Sequence, residues 1–132
     1  ATKLYQQAAS AKGAAGVRLY AQAKRLERVA EAAVLSEAEV VCATCIGAGD
    51  REGALKDVTF RICVLDEATQ ATEPESLVPL VRAESAVLIG DTNQLPPVVT
   101  SRAGTAQGLG VSLFERLQRL NLAPELLDVQ YR

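Results

Sequence analysis

Histidine is absent from the 132-residue sequence, and cysteine occurs only three times. Three thiols without a histidine cannot supply the four ligands of a usual zinc site, and an odd number of cysteines does not suggest a disulfide framework. Cys42 and Cys45 form a C-x-x-C, but they lie in the apolar stretch VVCATC, where two small side chains packing in a core is the favoured interpretation. The cysteine content therefore favours a reducing compartment, and we expect a cytoplasmic protein, with the nucleus as the alternative.

Long apolar segments and a strong net charge of either sign are also missing. No segment approaches the roughly 18 apolar residues of a membrane span or combines the parts of a signal peptide, so we expect no membrane partner. The formal net charge of −2 hides an asymmetry, because residues 1–35 hold six Lys or Arg against two Glu and the remaining residues hold eight against fourteen acids. The acidic segment, residues 36–132, gives no electrostatic support for a nucleic-acid partner. The basic segment gives modest support, which a solvated helix face explains equally well.

The length and composition fit one domain with a core. A hydrophobic content of 48% with 4% aromatic residues is typical of an α/β protein. Residues 1–36 are rich in helix formers, and apolar side chains recur there at steps of three and four, which predicts an amphipathic helix separated at Gly13 and Gly16 from a shorter helical piece. Its narrow, alanine-rich stripe suits close packing against another helix, and we expect that partner to lie outside this sequence.

Apolar runs and helical segments alternate in the rest of the chain. Residues 39–45, 58–65 and 86–90 are predicted strands. Between the last two, Thr72 is a predicted helix cap with Glu75 three residues later, and Pro79 either limits that helix to one or two turns or kinks it. After a glycine-rich loop without periodicity, another helix is predicted from its cap, Ser112, to Asn121, which ends it. This alternation predicts βαβ units and a mostly parallel sheet.

The central strand ends at two adjacent carboxylates. In VTFRICVLDEATQ, residues 58–70, an apolar run that we expect to be buried on both faces stops at Asp66 and Glu67. Ligands bind beyond the carboxyl ends of parallel strands, and successive side chains diverge, so one acid can hold a cation while the other orients a water for phosphoryl transfer. This is the logic of a Walker B strand. The next strand also ends at an acid, Asp91, and carboxylates delivered twice to one edge favour a site over solvated strand ends.

Three segments carry a resemblance to a known family. LDEATQ (65–70), GDTNQLPP (90–97) and VQYR (129–132), in this order, resemble motifs II, III and IV of superfamily 1B helicases, most closely those of the RNA helicase family of nonsense-mediated mRNA decay. The resemblance implies a RecA-like P-loop NTPase fold, an α/β fold with a mostly parallel sheet, of which residues 38–132 would be the latter part of the first motor domain and residues 1–37 a helical stalk or arm. It also implies an ATP-dependent 5′-to-3′ helicase on RNA or DNA that acts in mRNA surveillance.

The resemblance assigns roles to five residues around ATP. Asp66 would hold Mg²⁺ through water, and Glu67 would activate the water that attacks the γ-phosphate. Gln70 and Gln94 would sense that phosphate and couple it to the nucleic-acid groove. Asp91 would orient motif III. A metal ligand, a base and amide sensors are groups that phosphoryl transfer needs, because it is catalysed by positioning and charge stabilisation.

Four further residues receive roles from the same resemblance. Tyr131 would stack on the adenine, and Arg132 would contact the γ-phosphate as charge develops there. Thr44 and Gly47 would lie against the backbone of single-stranded RNA or DNA, where hydroxyls and small residues suit phosphate contact without base readout. The protein partners that the resemblance implies are mRNA-decay factors.

Two elements of the family are absent from the sequence. The chain has no G-x-x-x-x-G-K-[ST] loop, whose amides and lysine cradle phosphates, and no motifs of a second motor domain. The resemblance therefore implies a piece of a longer protein, inactive alone, that works with a P-loop region and a second RecA-like domain of the same protein. Two alternatives stay open. One is a catalytically inactive helicase-like module that binds a protein partner, which the intact acids, Gln94 and Arg132 disfavour; the other is a different P-loop ATPase, which QLPP and QYR disfavour.

Overall fold

A computed structural model describes residues 1–50 and 53–129 of the chain. Its elements are, in order, helix α1 (Thr2–Ser10), helix α2 (Ala14–Glu37), helix α3 (Cys45–Ala48), strand β1 (Phe60–Leu65), helix α4 (Glu73–Leu80), strand β2 (Ala83–Leu88), helix α5 (Arg102–Ala106) and helix α6 (Leu113–Arg119). Contacts divide the described residues into two compact units, one made of residues 1–43, 50 and 53–57 and the other of residues 44–49 and 58–129. The first unit is built around α1 and α2, and the second carries the sheet.

Small and aromatic side chains hold α1 against α2. Ala23 is fully buried, and the ring of Tyr5 lies edge-on to that of Tyr20 with the centroids 5.3 Å apart. The chain turns between the helices at Gly13, whose φ is 66°, so the predicted break is confirmed there. Gly16 lies instead in the first turn of α2, where a Cβ would stand 2.7 Å from a carbonyl oxygen at the end of α1. The expected close helix packing is thus found at Ala23, but its partner is α1 of the same chain rather than something outside the sequence, and Leu26, Ala30 and Ala33 of the stripe are exposed.

A hydrogen bond adds to this helix pair. The Tyr5 hydroxyl donates to a carboxylate oxygen of Glu27 at 2.7 Å, and this bond is the main cause that raises the pKa of Tyr5 to about 12. Val29 and Val34, farther along α2, are exposed. Within the described ranges, no helix is both long and apolar enough to cross a membrane.

Strands β1 and β2 form a parallel pair in which Leu65 is opposite Leu88. Helix α4 connects the strands and packs on both, so β1–α4–β2 is the predicted βαβ unit. Leu65 is buried, but Ile62 and Val64 on the opposite face are 59% and 61% exposed. The expectation that this strand is buried on both faces is therefore wrong for the described chain, because the described residues cover one face only.

The helix starts in the sheet unit follow their side-chain caps. Thr72 Oγ1 accepts from the backbone N–H of Glu75 at 3.4 Å, and the Glu75 carboxylate accepts from the backbone N–H of Thr72 at 2.8 Å, which completes a capping box. Helix α4 has eight residues and includes Pro79 in its last turn. Ser112 caps α6, which ends just before Asn121 at a φ of 64°. Both predicted helices are confirmed.

An ion pair joins α4 to α6. Nε of Arg116 lies 2.6 Å from Oε2 of Glu73, and Nη2 lies 2.7 Å from Oε1. The hydrogen bonds and the charge of this carboxylate raise the pKa of the Arg116 guanidinium above its usual value. Because both side chains are partly exposed, this two-point contact fixes the orientation of the helices more than it stabilises the fold.

Three segments differ from the sequence prediction. Residues 39–45, predicted as a strand, contain none in the structure, and α3 begins there at Cys45 with Thr44 as its cap. A strand needs a neighbour for its backbone hydrogen bonds, and the sheet of the described residues consists of β1 and β2 alone. Strand β2 begins before its predicted start, because Ala83 pairs with Phe60. The glycine-rich loop contains α5, whose cap Ser101 accepts from a backbone N–H at 3.1 Å.

Helix α3 packs against α4 at a glycine, which yields a stability prediction. A Cβ on Gly49 would lie 2.5 Å from Cγ1 of Val78, whereas a Cβ on Gly110 would meet nothing within 4 Å. Gly49→Ala should lower the free energy of unfolding by about 1–3 kcal/mol through overpacking, and the matched control Gly110→Ala should change it by less than about 1 kcal/mol. Denaturant unfolding followed by circular dichroism measures both. Equal stabilities would contradict this packing of α3 on α4.

Candidate functional site

The carboxyl ends of β1 and β2 continue into two loops, which we call the first loop (residues 66–70) and the second loop (residues 90–94). The backbone N–H of Ile89 donates to the Leu65 oxygen at 2.9 Å, and the N–H of Ala68 donates to the Ile89 oxygen at 2.8 Å. Pairing between the two segments therefore continues past the last strand residues. Because the strands are parallel, both loops lie at the same edge of the sheet.

The first loop turns sharply so that its two acids have different hydrogen-bond partners. Glu67 has a φ of 53°, a left-handed backbone that costs a non-glycine residue on the order of 1 kcal/mol. Asp66 Oδ1 accepts from the Glu67 N–H at 3.0 Å, while Glu67 Oε2 accepts from Nε2 of Gln70 at 2.9 Å. Both acids are exposed. One carboxylate is thus tied to the backbone of the turn, and the other to a neutral amide.

The second loop repeats the arrangement of a carboxylate bound by an amide three residues later. Asp91 Oδ1 accepts from the backbone N–H of Asn93 at 2.9 Å, and its Oδ2 accepts from Nε2 of Gln94 at 3.3 Å. These bonds, the one from Asn93 first, lower the pKa of the Asp91 carboxyl below its ordinary value. Asp91 is therefore a fixed anion at neutral pH, and its loop is organised around that charge.

The two loops touch at Thr69 and Gly90. A Cβ on Gly90 would lie 3.0 Å from Cγ2 of Thr69 and 3.1 Å from its backbone nitrogen, so only glycine allows this approach without displacement. Thr69 is 3% exposed and its neighbour Ala68 is 1% exposed. The contact joins residues 69 and 90, so local patterns do not predict a role for either residue. The one signal for it is a glycine that directly follows a strand and precedes an acid.

Five predicted site residues therefore lie on adjacent loops, namely Asp66, Glu67, Gln70, Asp91 and Gln94. Two other predicted residues, Thr44 and Gly47, do not join them in this way. Thr44 and Gly47 are exposed at the start of α3, where Thr44 Oγ1 accepts from the Gly47 N–H at 3.0 Å as a helix cap. Tyr131 and Arg132 lie outside the described residues.

The donor set of the loops is suited to one kind of metal ion. Among the described residues, no three side chains of the ligand-forming types cluster to hold a metal. Mg²⁺ does not need such a cage, because it keeps several waters and binds through one or two carboxylates together with substrate phosphates. The exposed carboxylate of Asp66, with one oxygen bound to the turn, fits that chemistry.

A cleft of about 830 Å³ opens beside the second loop. Its walls include Ile89 and Asp91 on one side and Phe114, Leu117 and Leu126 on the other. Its lining is mostly apolar and also includes the acids Asp91 and Glu125. Its walls come from segments that are distant in sequence, so local patterns could not predict it.

Comparisons with known proteins extend these observations. Residues 2–102 match a sequence family described as an AAA domain. The chain is 49% identical over 109 residues to the ATP-dependent helicase NAM7 of Saccharomyces cerevisiae, covering 82% of this chain and 11% of that protein. It is 47% identical over 110 residues to a Regulator of nonsense transcripts 1 homolog of Neurospora crassa, covering 83% and 10%, and 40% identical over 110 residues to Helicase sen1 of Schizosaccharomyces pombe, covering 81% and 6%. The chain thus spans about a tenth of the length of the first two relatives.

The hydrogen bonds to Asp91 make the second loop pH-dependent. The pKa of the Asp91 carboxyl lies below its ordinary value of 3.8. The hydrogen bonds to the carboxylate therefore stabilise the folded loop fully above pH 3.8, and this stabilisation is lost as the pH falls through the lowered pKa. Gln94→Ala removes the side-chain donor, so the pKa of Asp91 should rise toward 3.8 but remain below it, because the Asn93 bond is kept. Thr92→Val, which removes no donor to this carboxylate, is the control. Carbon-detected NMR titration measures the pKa, and no change in Gln94→Ala would rule out the second bond.

Proposed function

This chain belongs to the AAA domain family, close to the superfamily 1 helicases of nonsense-mediated mRNA decay, and from that membership we propose that the whole protein is an ATP-dependent helicase. In this proposal it hydrolyses ATP and moves 5′ to 3′ on single-stranded RNA or DNA. It acts in mRNA surveillance with mRNA-decay factors, in the cytoplasm. One observation carries the proposal: two loops at one sheet edge each hold a carboxylate bound by an amide three residues later.

The chemistry assigned to the first loop is activation of water. Glu67 is the general base, and its carboxylate is exposed and bound by the Gln70 amide. Asp66 is the residue that would hold Mg²⁺ through water, and the ion, when bound, neutralises charge on the phosphates. The different hydrogen-bond partners of the two acids support this division, because one carboxylate stays tied to the turn while the other has a partner that can leave.

The chemistry assigned to the two amides is detection of the γ-phosphate. An amide N–H that donates to a carboxylate can donate instead to a phosphate oxygen, which is an equally strong acceptor. Exchange at Gln70 releases Glu67 to take a proton from the attacking water, and exchange at Gln94 releases one oxygen of Asp91. Binding of the phosphate thereby changes the hydrogen bonds within each loop. Because the loops are in contact at Thr69 and Gly90, a change in one loop can affect the other.

The rest of the proposal concerns parts of the site beyond the two loops. Residues 1–37 form the arm and residues 38–132 the latter part of the first motor domain, with the P-loop and second motor domain supplied elsewhere in the protein. Thr44 and Gly47 contact the nucleic-acid backbone, which their exposure supports. Tyr131 stacks on the adenine, and Arg132 meets the γ-phosphate.

Nucleotide hydrolysis and unwinding by the full-length protein test the proposal directly. ATPase activity should rise when single-stranded RNA or DNA is added, and duplexes with a 5′ overhang should be unwound in preference to those with a 3′ overhang. RNA and DNA substrates are compared in the same assay. ATP turnover that is absent under all conditions would leave a non-catalytic helicase-like module that binds a protein partner as the better description.

The role of Glu67 is tested in the same assay. Glu67→Gln keeps the size of the side chain but cannot accept a proton, so kcat should fall by about a hundredfold or more while ATP binding stays nearly intact. The control is Glu84→Gln, which makes the same change at an exposed position of β2. Turnover near that of the wild type in Glu67→Gln would remove this residue from the role of base.

Tyr131 and Arg132 should give different kinetic signatures. Stacking contributes to ground-state binding, so Tyr131→Ala should raise KM for ATP by an amount worth roughly 1–3 kcal/mol. A guanidinium at the γ-phosphate acts where charge develops, so Arg132→Ala should lower kcat by a larger factor than it weakens ATP binding. Steady-state constants for both variants decide the matter. An effect of Arg132→Ala on KM alone, or of Tyr131→Ala on kcat alone, would contradict the role assigned to that residue.

A further inference from the structure

Thr69 has a buried hydroxyl without a hydrogen-bond partner. Its Oγ1 is shielded from solvent, and no donor or acceptor among the described residues is bound to it. The residue as a whole is 3% exposed. Thr69 is also the residue at which the first loop meets the second, since Gly90 lies against its methyl group and its backbone nitrogen.

This hydroxyl does not stabilise the arrangement of the loops that the structure describes. A buried polar group without a partner costs free energy, and valine, which has the same shape, would fill the space without that cost. The methyl group already makes the packing contact with Gly90, so packing does not require the oxygen. The presence of a hydroxyl that destabilises this arrangement of the loops is explained if the hydroxyl gains a hydrogen-bond partner in a second arrangement.

The position of Thr69 indicates where that partner lies. A Cβ on Gly90 would be 3.3 Å from the Thr69 oxygen, so the backbone of the second loop passes close to this hydroxyl at Gly90. On its own loop, Thr69 stands between Glu67 and Gln70, which are bound to each other. Gly90 directly precedes Asp91, which is bound to Gln94. A small shift between the loops would therefore change the surroundings of the hydroxyl and of both carboxylate–amide pairs together.

We propose that Thr69 is a positioning residue that couples the two loops, with its hydroxyl hydrogen-bonded to the backbone of the second loop in the reacting state of the site. The inference rests on the proposed function, because it concerns the same hydrolysis. Thr69 does not touch the nucleotide. It acts through Glu67 and Gln70 on one side and through Asp91 and Gln94 on the other.

The test compares two substitutions in the full-length protein. Thr69→Val removes the hydroxyl and keeps the shape, so kcat of the nucleic-acid-stimulated ATPase should fall about five- to tenfold, the effect expected for one hydrogen bond, while KM for ATP changes by less than about twofold. Thr69→Ser keeps the hydroxyl and should restore most of kcat. Thr59→Val makes the same chemical change at an exposed position and should have no effect.

Thermal unfolding separates coupling from packing. Because Thr69→Val removes an unpartnered polar atom, its Tm should equal or exceed that of the wild type even though kcat falls. Wild-type kcat in Thr69→Val would overturn the inference, as would equal losses of kcat in the valine and serine variants, or a loss that follows a lowered Tm. If the wild-type protein itself shows no ATP turnover, the proposed function fails rather than the coupling alone.

A second variant tests the same contact from the other loop. Gly90→Ala places a methyl group within 3.0–3.3 Å of three Thr69 atoms and should push the loops apart, lowering kcat with Thr69 intact. Adding Thr69→Ser removes the nearest of those atoms, Cγ2, and should recover part of the loss. This pair decides the question even if Thr69→Val does not fold. Wild-type kcat in Gly90→Ala, or strictly additive losses in the double variant, would contradict the coupling.

Discussion

The parallel pairing of β1 with β2 is the constraint on which the rest of the sheet unit depends. Its last hydrogen bonds run from Ile89 to Leu65 and from Ala68 to Ile89, so the ladder reaches into the first loop. Two consequences follow. The acids that end the strands lie at one edge because parallel strands end on the same side, and Gly90 is brought against Thr69, which fixes the separation of the loops. A shift of this pairing by one residue would move both the acids and the contact.

The loop carboxylates that carry the proposed chemistry are bound by amides. A neutral amide holds a carboxylate in place without cancelling its charge, and the pKa of Asp91 is lowered by its two donors, Asn93 first. A lysine or arginine in the same position would bind the acid more strongly and would compete with any cation brought by a nucleotide. The arrangement therefore favours a site that binds a cation or a phosphate, with the amides and carboxylates exchanging hydrogen-bond partners when the ligand binds. Asp91, with two donors, is the more firmly held of the two carboxylates.

The elements that could be predicted are those specified locally. The capping box at Thr72 and the cap at Ser112 need only residues three positions away, and the order of apolar runs is enough to predict β1–α4–β2 and the acids at its edge. The predictions that are wrong concern strand pairing and burial, which depend on neighbouring segments of the chain. Residues 39–45 have the composition of a strand but find no pairing partner in the described sheet, and Ile62 is exposed because nothing in the described chain covers it. The contact of Thr69 with Gly90 joins residues 21 positions apart, so no periodicity reveals it. The roles of the site residues remain predictions.

The loops are short and their ends are fixed, and this restricts the movements that the proposed chemistry can use. The first loop lies between buried Leu65 and the capping box at Thr72, and α4 is further oriented by the pair of Glu73 with Arg116. The second loop follows β2 and is followed by buried Pro97. Large backbone motion at either loop would break a strand pair or a helix cap. The exchange of an amide between carboxylate and phosphate needs only side-chain rotation, which occurs within these limits. Rotation of the two amides does not by itself connect the loops, and the close approach of Gly90 to Thr69 provides a contact through which one loop can affect the other.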